Sequence, residues 1–387
     1  MTKIRILVFL STILVVGIIG VLASYYARGY RFDQTLKLNP SGLFVANSDP
    51  TGAQVFIDGE LKTATNATIN LAPGTYDVVL RKEGFLPWSK RLTINKEIVT
   101  QIDANLFRSA PSLSAITFSG AFNPSVSPDL GKIAYGVPLQ PDDGEKAGLW
   151  VIETINLPLG FNRDPRRITD GDLKSETWVW SPDSRQILLT TKTGVFLLDT
   201  STFTPQSQRI NIATNVSKTL ADWDQKEQNK LTSLLSRLPN DLNSIFLRKA
   251  NDIVFSPDEN KFLYTASDSA NIPEGLIKSL PGSSTQKEVR NIIKDHMYIF
   301  DIKEDKNFEV SDSPKTIYWF ASSSNLVIPE KDSVAIIDYD GTNKETIYAG
   351  SYTSPDAFPT PASNRIFILT NLGAQNSTSN LYSLNLK

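Results

Sequence analysis

Few side chains in this sequence have the types and spacing that catalysis or metal binding requires. The 387 residues include one histidine, His296, and no cysteine, which excludes disulfides, cysteine nucleophiles and both thiolate and multi-histidine metal sites. No phosphate-binding loop, Gly-x-Ser-x-Gly motif or His-Glu-x-x-His motif occurs in the chain. Carboxylates are abundant, with 41 Asp and Glu residues, so glycoside hydrolysis, which needs only two of them, is left open.

Three local patterns resemble sites, and we assign each a structural role. Residues 338–343 (Asp-Tyr-Asp-Gly-Thr-Asn) resemble a calcium loop, but they lack a third oxygen ligand before the glycine and a distal glutamate, so we interpret them as a hairpin turn. Trp178 and Trp180 could stack on a sugar ring, but we predict core packing. His296 has no second metal ligand of its kind, so we predict a structural or exposed imidazole. The sequence therefore predicts no catalytic residue, no cofactor and no metal site.

The charge of the chain argues against a nucleic-acid partner. Lys and Arg number 39 against 41 Asp and Glu. Residues 1–31 hold four of the basic side chains and no acidic one, so the remainder carries 35 minus 41, or −6. Nucleic-acid binding rests on clustered Lys and Arg, and this mildly acidic remainder offers no such surplus.

The N-terminal segment predicts a membrane helix. Lys3 and Arg5 precede an uncharged stretch from Ile6 to Ala27 that ends in Tyr25 and Tyr26. About 20 apolar residues span a bilayer as one helix, and tyrosine is enriched at the interface. We interpret residues 1–31 as an uncleaved signal-anchor. The alternative is a cleaved signal peptide, since residues 21–23 (Val-Leu-Ala) form an acceptable cleavage site.

Either alternative exports the rest of the chain. Basic residues flank the apolar stretch on both sides, so the positive-inside rule discriminates weakly, but the short N-terminus favours a cytoplasmic N-terminus. No second apolar segment of comparable length follows. The sequence therefore predicts a single-pass protein of the cell membrane whose bulk is extracytoplasmic, with residues 32–47 as a juxtamembrane spacer.

A series of turn motifs after the spacer predicts a small antiparallel β-sandwich over residues 48–106. Residues 48–59 read as a turn, a strand of alternating pattern and an Asp-Gly hairpin turn. Residues 71–81 repeat the scheme with a Pro-Gly turn, and a Glu-Gly-Phe break at 83–85 precedes another strand.

These motifs resemble the PEGA domain. Its start appears here as Pro50-Thr51-Gly52-Ala53, and the Ile-Asp-Gly, Leu-x-Pro-Gly-x-Tyr and Gly-Phe motifs follow in order. The resemblance covers about residues 44–106. It implies a spacer or adhesion module of a surface or envelope protein, without chemistry of its own.

From residue 111 onward a longer repeat predicts a β-propeller. A Ser-Pro-Asp turn followed by an apolar strand occurs at residues 127–129, 181–183 and 256–258, with degraded copies near residues 321 and 361. Pro and Asp suit the central positions of a tight turn, and a further hairpin follows each copy. Four strands per repeat are typical of propeller blades.

The repeat resembles the WD40-like repeat of TolB-type β-propellers. The glycine that follows Asp in that family is replaced here by Leu130, Ser184 and Glu259. We predict about five blades, with six as the alternative, over residues 111–387. The last blade is one strand short, and residues 113–118 could supply that strand and close the ring.

Two insertions interrupt the repeats. In the first, over residues 217–240, leucines 231, 234, 235 and 238 fall on one helical face and Pro239 ends the pattern. We predict a helix packed on the propeller, with a partner-binding helix as the alternative. Its start is ambiguous, because Thr219 with Asp222 and Asp224 with Glu227 are both candidate capping boxes. The second insertion, residues 272–293, is interpreted as a loop over one face of the propeller.

Two functions remain. The first is a non-enzymatic, membrane-anchored envelope protein whose propeller binds an envelope protein or a polysaccharide. The second is a propeller glycosidase with a carboxylate pair. We favour the first because most of the conspicuous acids, Asp129, Asp183, Asp258 and Asp340, lie in turns where they have a structural role.

Overall fold

A computed structural model describes residues 2–27, 30–32, 38–140, 144–155, 164–278, 284–362, 364–374 and 377–387. Part of the predicted spacer (33–37) and part of the second insertion (279–283) lie outside the described residues. The chain divides into two compact units. The first comprises Met1–Leu106 with Ser279–Lys287, and the second comprises Phe107–Lys278 with Glu288–Lys387.

The first unit begins with a long apolar helix. Helix α1 spans Thr2–Ala27, and its segment Ile4–Ala27 has a mean hydropathy of 2.9 in its most apolar window, none of which is buried inside the protein. Large apolar side chains are rarely left in water over so wide a surface. The helix is therefore not part of a soluble core and has the length and composition of a membrane anchor or signal sequence.

Seven strands after α1 form two facing sheets, which confirms the predicted sandwich. A short ribbon, β1 (Arg31–Phe32) with β2 (Leu38–Asn39), comes first. The sandwich strands are β3 (Gly42–Asp49), β4 (Gln54–Ile57), β5 (Glu60–Ala64), β6 (Ala67–Leu71), β7 (Gly74–Arg81), β8 (Trp88–Ile94) and β9 (Val99–Asn105). Their orders are β6-β3-β9 and β5-β4-β7-β8.

The sandwich holds its own core. Phe44, Val55 and Leu80 are fully buried between the sheets. The predicted Asp-Gly turn joins β4 to β5 with left-handed backbone at Asp58 and Gly59 (φ 50° and 84°), the conformation that such a hairpin requires. Strand β3 starts before the predicted boundary at residue 48 and pairs with β9 in parallel, so the unit is mixed rather than purely antiparallel.

A segment distant in sequence covers one edge of the sandwich. The Gln286 amide donates a hydrogen bond to the Arg91 carbonyl at 2.8 Å, and the Thr93 amide donates to the Thr285 hydroxyl at 3.2 Å. Both backbone groups belong to β8, an edge strand. Unpaired strand edges promote association with other chains, so residues 284–287 cap this edge.

Within the described residues the second unit contains five sheets of three or four strands and one two-stranded ribbon, and the five larger sheets confirm the predicted blade count. The strands of blades 1 and 2 are β11 (Phe122–Val126), β12 (Lys132–Val137), β13 (Gly148–Glu153) and β14 (Arg166–Asp170), then β15 (Thr177–Trp180), β16 (Gln186–Thr191) and β17 (Gly194–Asp199). Those of blades 3 and 4 are β18 (Ala250–Phe255), β19 (Lys261–Ala266), β22 (Met297–Asp301) and β23 (Lys306–Ser311), then β24 (Tyr318–Trp319), β25 (Asn325–Pro329), β26 (Ser333–Asp338) and β27 (Glu345–Ala349).

Blade 5 is built from both ends of the second unit. It contains β28 (Ala357–Pro359), β29 (Arg365–Thr370) and β30 (Asn380–Asn385), and its outer strand is β10 (Ser112–Ala115). Strand β10 pairs antiparallel with β30 from Ser112↔Asn385 to Ala115↔Tyr382. The prediction that a segment before the first blade completes the last one is confirmed.

The first strands of neighbouring blades lie side by side. The Trp178 and Trp180 indoles of blade 2 donate hydrogen bonds to Ser125 of blade 1, and the Trp319 indole of blade 4 donates to the Val254 carbonyl of blade 3 at 2.9 Å. These bonds join the first strands of blades 1 and 2 and those of blades 3 and 4, as expected for the inner strands of a propeller.

The first insertion forms two helices rather than one. Helix α2 spans Val216–Leu235 and α3 spans Asn240–Lys249. Pro239 ends the leucine pattern as predicted, but it also stands at the N-cap of α3. Proline is tolerated at this position because the first backbone amides of a helix have no intrahelical acceptor. Neither predicted capping box marks the start of α2, whose N-cap is Asn215.

The two helices pack against blade 3, as the structural interpretation of the insertion predicted. Phe246 of α3 lies 4.8, 5.2 and 5.1 Å from the rings of Phe262, Tyr264 and Phe300. In blade 2 the position equivalent to Phe262, six residues after the turn serine, is Ile187, which packs against strands of blade 1. The helices thus cover the face of blade 3 that a preceding blade covers elsewhere.

The second insertion contains a two-stranded ribbon, β20 (Ala270–Asn271) with β21 (Asn291–Ile292). Arg290 anchors it by donating to the Pro273 carbonyl at 2.9 Å and to Asp305. Ile272 and Ile292 are buried in the same cluster as Phe246. The ends of this insertion are therefore packed on blade 3, whereas residues 284–287 belong to the first unit.

We expect Phe246→Ala to destabilise the second unit by about 3 to 5 kcal/mol, because a fully buried ring that touches three aromatic side chains leaves a cavity. Chemical unfolding followed by tryptophan fluorescence measures the change. Leu247→Ala is the matched control, since Leu247 is 52% exposed on the same helix. Equal losses in the two variants would contradict the packing of α3 on blade 3.

Candidate binding surface

The Ser-Pro-Asp turns are closed hydrogen-bonded units. In the three copies the serine hydroxyl donates to the aspartate carboxylate two residues later at 2.6 Å, and the serine oxygen accepts the backbone amide five residues later at 2.9 to 3.0 Å. Each carboxylate also accepts the backbone amide two residues after it at 2.9 to 3.2 Å. Asp129, Asp183 and Asp258 therefore serve the fold, as the sequence predicted.

The residues that follow the three turn aspartates have a strained backbone. Leu130, Ser184 and Glu259 have φ of 58°, 59° and 56°, which disfavours side chains with a Cβ. Ser184 offsets this cost because its hydroxyl accepts the Asp129 amide of the preceding blade at 3.3 Å. Ser323 accepts the Asp258 amide in the same way at 3.0 Å. The hydroxyls of Ser184 and Ser323 thus link neighbouring blades.

We expect Asp183→Ala and Asp258→Ala each to cost about 1 to 2 kcal/mol of stability, because each removes a hydroxyl and an amide hydrogen bond. The Ser181 hydrogen bond holds the pKa of Asp183 below its ordinary value. Its stabilisation is therefore present above the unfolded pKa of about 3.9 and is lost on acidification. Urea unfolding at pH 7 and pH 3 measures both effects.

Asp224→Ala, on the exposed side of α2, is the control for the turn variants and should change the stability little. Ligand binding should survive in both turn variants. Full stability combined with a lost activity would instead make the repeat aspartates site residues.

The tryptophans and the histidine have structural partners. Trp178 is buried in the cluster between blades 1 and 2, and Trp180 packs against that cluster, so the prediction of core packing is confirmed. His296 Nδ1 lies 2.6 Å from Glu309 Oε1, and its ring stacks on Tyr298. The imidazole is held as a structural group, as predicted.

Residues 338–343 form a hairpin turn, as predicted. The Asp338 carboxylate accepts the side-chain amides of Asn325 and Asn343 at 2.7 and 3.0 Å, and Asp340 accepts the Thr342 hydroxyl at 2.6 Å. Gly341 supplies the left-handed position with φ 81°. Within the described residues, no group of three or more His, Asp or Glu side chains is arranged to hold a metal ion.

One carboxyl group that the sequence did not single out has a perturbed environment. Asp356 precedes β28, the inner strand of blade 5, and burial raises its pKa to about 7. Among the described residues no side chain donates a hydrogen bond to this carboxylate. Burial also raises the pKa of Tyr318 to about 12, with a contribution from Asp356. Burial raises the pKa of Tyr352 as well, and Asp356 contributes to that shift. The sequence feature that could have indicated this buried carboxyl is the position of Asp356 directly before the apolar residues 357–359.

We expect Asp356→Asn to flatten the pH dependence of stability. Because the folded pKa of about 7 lies above the unfolded value of about 3.9, the neutral carboxyl is favoured in the fold. Wild-type stability should fall as the pH rises through this interval. The variant should resemble the wild type at pH 4 and be more stable at pH 8.

Urea unfolding at several pH values measures the effect of Asp356→Asn. Asp241→Asn, at the exposed start of α3, is the control that keeps the wild-type profile. An unchanged profile in Asp356→Asn would show that this carboxyl is not the group responsible.

A cavity of about 470 Å³ opens in the second unit. Three segments line the cavity. The connection between β12 and β13 contributes Leu139, Glu145 and Ala147. Strand β14 and the turn after it contribute Arg167, Asp170, Gly171 and Asp172, and a short helical turn contributes Gln206. Ligand pockets are commonly about 300 to 1,000 Å³. The cavity is therefore large enough for a side chain or a small ligand.

The guanidinium groups of Arg167 and Arg209 stabilise the cavity wall. Arg167 donates to the Ala147 carbonyl, and its guanidinium lies 5.7 Å from the Phe203 ring centroid. Arg209 donates to the Thr169 hydroxyl at 2.8 Å and to the Asp170 carbonyl. Asp170 accepts the Gln206 amide. The cations are thus engaged by backbone and hydroxyl oxygens.

Two carboxylates at the cavity remain accessible. Glu145 is exposed, and no hydrogen bond or ion pair joins it to another described residue. Asp172 is exposed and accepts the Lys174 amide at 3.2 Å. A Cβ at Gly171, which has φ 107°, would lie 2.8 Å from the Gln206 side-chain oxygen, so glycine keeps this wall closely packed. The arrangement offers negative charge to a ligand.

A second cavity, of about 830 Å³, lies in the sandwich. Its two cationic side chains have protein partners: Lys82 donates to the Thr51 carbonyl at 2.8 Å, and Arg81 lies 5.1 Å from the Phe56 ring centroid. This cavity therefore offers less unpaired charge than the one in the propeller.

Comparison with known proteins confirms the resemblance of the sandwich. Residues 41–110 match the family model of the PEGA domain. No curated protein matches the chain.

Solved structures similar to the chain include two TolB proteins. A putative TolB from Agrobacterium tumefaciens is 13% identical, with 70% of this chain and 80% of that chain covered and a TM-score of 0.24. TolB from Acinetobacter baumannii is 14% identical, with 80% and 59% covered and a TM-score of 0.20. The β-propeller domain of Cps50 (Swd1) from Myceliophteria thermophila is 14% identical, with 71% and 73% covered and a TM-score of 0.20. The propeller assignment rests on the five sheets described above.

Proposed function

We propose that this protein is a non-enzymatic envelope protein that displays a binding propeller outside the cell membrane. The membrane is contacted by helix α1 (Thr2–Ala27). The segment that ends before β3 at Gly42 links this helix to the PEGA domain, which acts as a spacer or adhesion module. The propeller of residues 111–387 binds an envelope protein or a polysaccharide. No nucleic acid is bound.

The observation that carries this proposal is the exposure of α1. Every residue from Ile4 to Ala27 is exposed, with Leu7 at 70% and Leu14 at 65%. Burying apolar surface is worth about 25 cal/mol per Å², so a helix of this kind partitions into the bilayer. The folded units that follow it carry no comparable apolar helix within the described residues.

The chemistry of the turns supports binding rather than catalysis. Glycoside hydrolysis needs an acid and a second carboxylate on opposite sides of a substrate, about 5 to 10 Å apart. The repeat aspartates are occupied by serine hydroxyls and backbone amides, which suits a structural role. A propeller that is closed by pairing of its first and last strands offers a rigid platform for a ligand.

We expect a single-pass topology with Lys3 and Arg5 in the cytoplasm. Protease added to intact cells should release a fragment of nearly full length from a C-terminally tagged chain, because one apolar helix leaves the folded units outside. Immunoblotting against the tag detects the fragment. A cytoplasmic protein that stays intact serves as control, and protection of the propeller would contradict the orientation.

The same cells distinguish the anchor from a cleaved signal peptide. An anchored chain stays in the membrane fraction after a carbonate wash and keeps its N-terminus, whereas a cleaved chain is released.

Binding itself is tested with the full-length chain immobilised in detergent micelles and exposed to envelope proteins and to cell-wall polysaccharide. Hydrolysis of the polysaccharide without retention would favour the glycosidase.

A further inference from the structure

The cavity in the propeller adjoins exposed apolar side chains. Phe118 and Leu139 are 83% and 59% exposed, and Leu139 also lines the cavity. Their loops touch, because the Gln140 amide donates to the Ser119 carbonyl at 2.9 Å and a Cβ at Gly120 would lie 3.2 Å from Pro138. We call Phe118 and Leu139 the apolar rim.

The charge of the cavity defines what can enter beside this rim. Three carboxylates, of Glu145, Asp170 and Asp172, line it together with the Arg167 guanidinium, which donates to the Ala147 carbonyl. A second guanidinium, of Arg209, donates to the Asp170 carbonyl, so the three carboxylates outnumber the two guanidinium groups. The Glu145 and Asp172 carboxylates are exposed. An incoming ammonium or guanidinium would gain charge-assisted hydrogen bonds here, whereas an anionic polymer would be repelled.

We propose that this surface binds a peptide segment of a partner protein, with a lysine or arginine side chain in the cavity and a neighbouring apolar side chain on the apolar rim. The inference rests on the proposed binding function and specifies its partner. Complementary charge fixes the register of the peptide, and the exposed phenyl ring supplies apolar contact area at a small entropic cost. The acidic balance of the chain after residue 31, −6, favours the approach of a basic segment.

The test uses the full-length chain in detergent micelles and two peptide libraries. Both libraries are octapeptides with randomised flanks; one has a fixed central lysine and the other a fixed central norleucine, which keeps the apolar stem but removes the charge. Retained peptides are identified by mass spectrometry, and the best binder is resynthesised with a fluorophore for polarisation measurements. We expect enrichment from the lysine library with apolar residues beside the lysine.

Two variants locate the binding. Glu145→Gln combined with Asp172→Asn should weaken the selected peptide about tenfold, as expected for two partly exposed charge contacts. Phe118→Ser should weaken it through loss of the apolar rim. Glu227→Gln, an exposed acid on α2, is the matched control and should bind like the wild type. Unchanged unfolding curves show that the variants are folded.

The outcomes separate this inference from the function on which it rests. If the lysine library gives no enrichment over the norleucine library, or if the double variant binds the selected peptide like the wild type, the inference is overturned. Retention of an envelope protein or polysaccharide by the immobilised chain would still support the proposed function in that case. If no partner is retained by any form of the chain, the proposed function fails as well.

Discussion

The propeller depends on the pairing of β10 with β30. A ring of antiparallel sheets has no stable end unless its last sheet is completed, because a three-stranded blade leaves a row of unpaired amides and carbonyls. Here the Ser112 hydroxyl accepts the Asn385 side-chain amide at 3.1 Å across a separation of 273 residues. The Arg108 amide also donates to the Leu386 carbonyl at 2.9 Å.

Blade 2 departs from the regular pattern, and the helical insertion compensates. Its sheet contains three strands, with a single bridge between Phe196 and Asn211 where a fourth strand would lie. The chain then forms α2 and α3, which bury Leu235 and Phe246 against blade 3. The aromatic side chains of blade 3 need apolar partners to exclude water. Helices can supply these partners as well as strands can, because the free energy of burial depends on the apolar area buried and not on the secondary structure that buries it.

The parts of the fold that could be predicted from the sequence are those specified by a few adjacent residues. A Ser-Pro-Asp turn or an Asp-Gly hairpin is specified by a few adjacent residues, so the blade count and the sandwich could be predicted. Helix α3 was missed because Pro239 was interpreted only as the end of a helix. A proline is equally compatible with the start of a second helix, and the sequence pattern does not distinguish the two. The burial of Asp356 and the cavity between Leu139 and Gln206 depend on distant segments, which no local pattern reveals.

The placement of the helices has a consequence for the order of folding. Contacts between α3 and blade 3, such as Phe246 with Phe262, close short loops and cost little chain entropy, whereas the pairing of Ser112 with Asn385 closes nearly the whole unit. Short-range contacts form fastest. We therefore expect the helical insertion and blade 3 to form the nucleus around which the other blades assemble. The ring stays open, with its terminal edge unprotected, until β30 pairs with β10.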